Sequence, residues 1–138
     1  MEASNSGHTS ELLEVERSDN RGLTPLNCLA IRGDLKMMRT LVEKGKADIE
    51  KPGPKGCTPL LYAARGGYNE IVTYLLKERN ANWMATDHSG GSVVHHAVEK
   101  RQMAVLEALH AHGVDFNLRD LANRSPLFEA VENDDGSP

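Results

Sequence analysis

Two cysteines are too few to build a disulfide framework, and neither Cys28 nor Cys57 has a second cysteine at the CxxC spacing of a metal knuckle or redox pair. Unpaired thiols suit reducing surroundings, so cytoplasm and nucleus are the expected compartments. No apolar run approaches the ~18 residues that a spanning helix needs, and nothing resembles a secretory leader. Membrane insertion is therefore not expected. Aromatic residues make up only 4% of the chain, which leaves a nucleic-acid surface without stacking platforms. Catalytic signatures are missing as well: there is no GxSxG elbow, no HExxH, no P-loop and no GxGxxG after a strand. The run Lys51-Pro52-Gly53-Pro54-Lys55-Gly56 is glycine-rich and basic, but it lacks the GK[ST] order that cradles phosphate. Neither an enzyme nor a bound cofactor is expected.

What is present is a repeat. Thr58-Pro59-Leu60-Leu61-Tyr62-Ala63-Ala64-Arg65-Gly66-Gly67 has the marks of a short helix with both ends defined. Thr58 can cap the first turn, and Pro59 stands at the first helical position, where its missing N–H costs nothing. Leu60, Ala63 and Ala64 form one narrow face of small residues, and Gly66-Gly67 can stop the helix with a positive φ. Thr24-Pro25-Leu26 lies 34 residues earlier, Ser92-Val93-Val94 lies 34 later, and Ser125-Pro126-Leu127 follows after another 33. A glycine keeps step two residues upstream as Gly22, Gly56 and Gly90. Asn123 takes its place in the fourth copy, the non-glycine residue best suited to the left-handed conformation. A period near 33 residues means a stacked array.

At these residues the sequence resembles the ankyrin repeat family. The copies DNRGLTPLNCLAIRGD and GPKGCTPLLYAARGGY follow the family pattern DxxGxTPLHxAAxxGH, while DHSGGSVVHHAVEKRQ departs from it at Val93, Val98 and Arg101. The resemblance implies an all-α solenoid of helix-turn-helix units with hairpin-like loops. Repeats are expected at about residues 15–48, 49–82, 83–115 and 116–138, the last truncated. Residues 1–14 read as disordered or as a partial N-terminal cap. First helices are expected over about Thr24–Arg32, Thr58–Arg65, Ser92–Lys100 and Ser125–Asn133. Second helices are expected over about Leu35–Lys44, Asn69–Arg79 and Met103–His112, with Asp34 and Asn69 as caps and Lys46 and Asn80 as single insertions after them. Val15, Ile49, Trp83 and Phe116 fall in one register, which makes Trp83 a core residue under its loop rather than a binding anchor. Because no second helix follows Ser125–Asn133, the array is expected to continue in a longer protein or to have its end covered.

Five of the six histidines, His88, His95, His96, His110 and His112, fall in or next to the third copy. His95 and His96 are helix neighbours about 100° apart and cannot chelate one ion together. No cysteine or paired acid stands at ligand spacing, so no metal is assigned. The family resemblance implies that His95 is a structural hydrogen-bond partner of the neighbouring hairpins.

The resemblance also implies a non-catalytic module that binds another protein through hairpin tips and first-helix faces. Carried over position by position, the contact residues are Asn20, Arg21, Leu23 and Arg32, then Pro54, Lys55, Cys57 and Arg65. In the third copy they are His88, Ser89, Glu99 and Lys100, and in the fourth Leu121, Ala122 and Arg124. Residues 21–65 carry a net charge of +5 in a chain whose total is −4, which reads either as a solvated face or as the complement of an acidic surface on the partner. Arg21, Arg32, Lys55 and Arg65 would line one basic stripe. Asn117, with Leu109 and Asp115 before it, resembles the modified asparagine of ankyrin repeats that an asparaginyl hydroxylase acts on. A monomer is expected unless the open C-terminal end self-associates. The alternatives are a metal- or nucleic-acid-binding role, and a spacer that separates domains.

Overall fold

The computed structural model describes residues 17–125. Among these residues six α-helices pair in order: α1 (Pro25–Arg32) with α2 (Leu35–Glu43), α3 (Pro59–Gly66) with α4 (Asn69–Thr73), and α5 (Val93–Glu99) with α6 (Met103–His112). No β-strand occurs among the described residues. Helix α3 packs on both α1 and α5, and α4 packs on α6, so first and second helices form two stacked layers. Of the helix expected over Ser125–Asn133 only Ser125 is described; the rest of it, the segment 1–14 and the register position Val15 lie outside the described residues.

Each first helix starts where its cap residue dictates. The hydroxyls of Thr24, Thr58 and Ser92 accept the N–H groups of Asn27, Leu61 and His95, which satisfies donors that a helix start leaves open. Leu60, Ala63 and Ala64 are fully buried, and so are Ala30 and Ala97 on the flanking helices. These small side chains let α1, α3 and α5 approach closely. Larger residues such as Leu61, Ile71, Leu75 and Leu109 fill the space between the layers, each contributing about 1.5–3 kcal/mol of burial. Ile49, Trp83 and Phe116 pack against this core.

The loops before the first helices are one turn built four times, over residues 19–23, 53–57, 87–91 and 120–124. In each, the first N–H donates to the fifth carbonyl at 2.8, 2.8, 3.0 and 3.0 Å. The fourth N–H donates back to the first carbonyl at 3.0, 3.1, 2.9 and 2.8 Å. That fourth position has φ of 86°, 79° and 81° at Gly22, Gly56 and Gly90, and 63° at Asn123, as the sequence pattern requires. Asp19, Asp87 and Asp120 brace their turns by accepting two N–H groups each on one carboxylate oxygen. Gly53 takes the aspartate's place in the second turn, where a Cβ would meet Asn27 Oδ1 at 2.5 Å.

The second helices correct two expectations. Asp34 caps α2 by accepting from Met37, but Asn69 is the first residue of α4, and Tyr68 ahead of it makes no capping bond. Tyr68 instead lays its ring between two glycines, against Gly33 of the preceding repeat and Gly66 of its own. Lys46 and Asn80 are not insertions. Their φ values of 58° and 55° match the 89° of Gly113, which makes the three equivalent closing residues. The extra residue lies earlier. Ala47 and Ala81 reach back to the carbonyls of Leu41 and Leu75, six positions away, whereas Val114 reaches Leu109, five positions away. In the second repeat the surplus is taken up as a π-helical turn, Tyr74–Glu78, continuous with α4.

Candidate functional site

The hairpins are tied into a rigid row by backbone bonds. His88 N–H donates to Lys55 C=O at 2.8 Å, and Leu121 N–H donates to Ser89 C=O at 2.9 Å. Side chains one turn into the first helices complete the ties. Asn27 Nδ2 donates to Lys51 C=O at 3.3 Å, and His95 Nε2 lies 2.9 Å from Arg124 C=O. Because Ser92 N–H donates to His95 Nδ1, the ring proton sits on Nε2 and points at that carbonyl. His95 is thus the structural partner that the family resemblance implies.

Of the residues assigned to partner contact, Asn20, Arg21, Arg32, Lys55, His88, Ser89, Glu99, Lys100, Leu121 and Ala122 are exposed, and Pro54, Arg65 and Arg124 are half-buried. Leu23 and Cys57 do not belong with them: they are 6% and 7% exposed. Both occupy the fifth hairpin position, where the chain turns inward toward the cap residue, and Cys57 is part of the core. The basic stripe is also interrupted. Arg21 is held by Asp19 at 2.9 Å and Arg65 by Glu99 at 2.9 Å, so of those four cations Arg32 and Lys55 are the two not paired with a carboxylate among the described residues.

Sequence spacing concealed a polar cleft of about 220 Å³ between the third and fourth hairpins. Asp87, Gly91, His96 and Glu99 line one side, and Asp120 and Arg124 the other. His96 Nε2 lies 2.8 Å from Asp87 Oδ2, and Arg65 Nη1 lies 3.3 Å from His96 Nδ1. A guanidinium can only donate, so Nδ1 accepts and the ring proton sits on Nε2, directed at Asp87. Burial pushes the His96 pKa down, with Asp87 opposing, which favours the neutral ring. Burial alone would raise the Asp87 carboxyl, but the N–H groups of Gly91 and Ser89, together with His96, hold it below the usual carboxylate value. Beneath the pair lies Cys57. Its Sγ, an Asp87 oxygen and a His96 nitrogen all lie within 4.8 Å of one another. Burial, and then the charge of Asp87, raise the thiol's pKa, so Cys57 is not an activated nucleophile. The three residues are 30 and 9 positions apart in sequence, beyond any local motif. The usable signal was positional: Cys57 ends one hairpin, Asp87 begins the next, and His96 follows the cap of that next helix by four.

With the hairpins, helix pairs and their period in place, the class is defined. Residues 1–87 match the family model described as ankyrin repeats (3 copies), and the chain belongs to the ankyrin repeat family. The match ends at residue 87, whereas the helix pair α5–α6 continues the stack to His112, through the copy that departs from the pattern. The chain is similar to the B-cell lymphoma 3 protein homolog of Mus musculus, with 31% identity over 123 residues, 88% of this chain and 27% of that protein. It is 30% identical over 122 residues to alpha-latrotoxin-Lg1a of Latrodectus geometricus, covering 87% of this chain and 9% of the toxin. Diacylglycerol kinase iota of Rattus norvegicus is 33% identical over 108 residues, which span 76% of this chain and 10% of the kinase. The chain therefore spans about a quarter or less of the length of these relatives. Ankyrin repeats are generally protein-interaction modules and typically non-catalytic, and relatives named as enzymes match this chain over a small part of their length. No helix among the described residues is long and apolar enough to cross a membrane.

Proposed function

We propose that this chain is a non-catalytic recognition module that grips a partner protein with its hairpin tips and the exposed faces of its first helices. The observation that carries the reading is a division of labour in the hairpins. Backbone bonds and aspartates brace each turn, and further backbone bonds with Asn27 and His95 tie the row, while Asn20, Lys55, His88, Ser89, Leu121 and Ala122 stand exposed at the tips. Leu121 is 79% exposed, an apolar side chain presented to solvent on a fixed backbone. A surface ordered in advance binds with little further loss of entropy. The partner surface that fits is mixed: acidic opposite Arg32 and Lys55, apolar opposite Leu121. The expected setting is the cytoplasm or nucleus, as part of a larger protein, and nucleic acid is not the expected partner.

The test is a partner recovered by affinity capture and then titrated, as a purified protein, against variants. Lys55→Glu with Arg32→Glu, and separately Leu121→Ala, should each weaken binding about tenfold or more, consistent with losses above 1 kcal/mol at anchoring residues. Melting temperatures should barely move, because exposed changes usually stay within about 0.5 kcal/mol. A spacer would bind as well with every tip altered.

A further inference from the structure

We propose that Cys57, Asp87 and His96 form a three-ligand site for a divalent cation of the zinc class, closed by two adjacent repeats and open to the cleft on its fourth side. The donor set is one that zinc takes readily: a thiolate, an imidazole nitrogen and a carboxylate oxygen. Their atoms already lie within 4.8 Å of one another. Tetrahedral zinc would hold them about 3.5 Å apart, given bond lengths of ~2.0–2.3 Å, so closing the site takes movements of about an ångström. Cys57 and His96 are buried, and Asp87 is half-buried.

The remaining bonds leave the ligand atoms available. Asp87 uses Oδ1 to accept the N–H groups of Ser89 and Gly91, and Oδ2 faces His96. Coordination through Oδ2 therefore leaves the hairpin closed. Gly91 adds no side chain at the fifth hairpin position, and the cleft beside it has room for a water as fourth ligand. The proton balance is simple. The Cys57 thiol gives its proton to solvent, and the His96 proton moves from Nε2 to Nδ1, for a net release of one proton per ion. That shift places an N–H against Arg65, which can only donate, so Arg65 must leave Nδ1. Glu99, one turn along from His96 and now bonded to Arg65 at 2.9 Å, is the carboxylate at hand to accept the new Nδ1–H, as outer partners of metal-bound histidines do. Zinc binding would thus rearrange Arg65 and Glu99, two of the exposed or half-exposed side chains on the first-helix face.

The test uses the whole chain, stripped of metal, with cobalt(II) and zinc(II) as probes. One equivalent of cobalt should give a tetrahedral visible spectrum and a sulfur-to-cobalt charge-transfer band, and zinc should displace both. The band should persist in Cys28→Ser and vanish in Cys57→Ser. Zinc affinity should fall about a hundredfold or more in Cys57→Ser and His96→Gln and stay unchanged in His88→Gln and His110→Gln. Circular dichroism of each variant establishes that it is folded. The wild-type spectrum decides independently of any variant: no thiolate band at one equivalent of cobalt overturns the site. Zinc binding that survives both Cys57→Ser and His96→Gln overturns it too, as adventitious binding by exposed histidines.

Discussion

Tyr68 holds two repeats together by contact alone, and this can be measured. Its ring lies so close to Gly33 that a Cβ there would meet Cε1 at 2.3 Å, whereas a Cβ on Gly113 would meet nothing within 4 Å. Both glycines have positive φ, 79° and 89°, so Gly→Ala imposes the same backbone strain at each. That strain is about 1–2 kcal/mol, offset by about 0.4–1 kcal/mol from the stiffer unfolded chain. Gly113→Ala should therefore cost on the order of 1 kcal/mol or less. Gly33→Ala carries the strain and also forces the ring aside, and overpacking of this kind costs about 1–3 kcal/mol more. The ring cannot simply slide away, because its other edge rests on Gly66, where a Cβ would come within 2.6 Å of Cε2. Urea unfolding of the two variants, each in wild-type and Tyr68→Ala backgrounds, completes the cycle. In the Tyr68→Ala background Gly33→Ala should cost no more than Gly113→Ala, with the difference appearing only when the ring is present. Equal costs in the wild-type background would refute the argument that the aromatic contact couples the repeats.

Three further outcomes are expected. Lys46→Gly should raise the urea midpoint, a net gain of about 0.5 kcal/mol from releasing a left-handed lysine, and Asn80→Gly should gain less because asparagine tolerates that conformation. Asp120→Ala should cost about 1 kcal/mol and speed amide exchange at Arg124, whose N–H donates to the carboxylate at 2.9 Å. Burial raises the Asp120 pKa, but the Arg124 N–H and guanidinium outweigh it and hold the folded value below the ordinary one; the carboxylate's contribution is thus full above about pH 4 and is lost as pH falls through that depressed value. Asn117 is exposed and donates its N–H to Asp115 Oδ1 at 2.9 Å; incubation with an asparaginyl hydroxylase should add one oxygen there, read by peptide mass spectrometry, and an unmodified peptide would leave it an ordinary turn residue.

The stack was legible in the sequence because its rules are local. A threonine, a proline and a glycine at fixed offsets decide where a helix starts and stops, and Asn123 announced its left-handed backbone by standing where glycine stood elsewhere. Burial of Leu23 and Cys57 was not legible from the same frame, since the alignment counts a position without saying which way its side chain turns. The interruption of the basic stripe escaped for a different reason. Arg65 and Glu99 are 34 residues apart, one repeat period, and only stacking brings them to 2.9 Å. The same holds for Cys57, Asp87 and His96: a metal search by spacing looks along one helix or loop, and these three meet across a seam.

The π turn at Tyr74–Glu78 shows where this architecture keeps its slack. An added residue on the hairpin side would shift every tip and break the ties between Lys55 and His88 or Ser89 and Leu121. On the outer side it swells one turn of a helix and disappears before Ala81, so the next hairpin begins in step. A single added residue can therefore be absorbed in a second helix without shifting the row of hairpins.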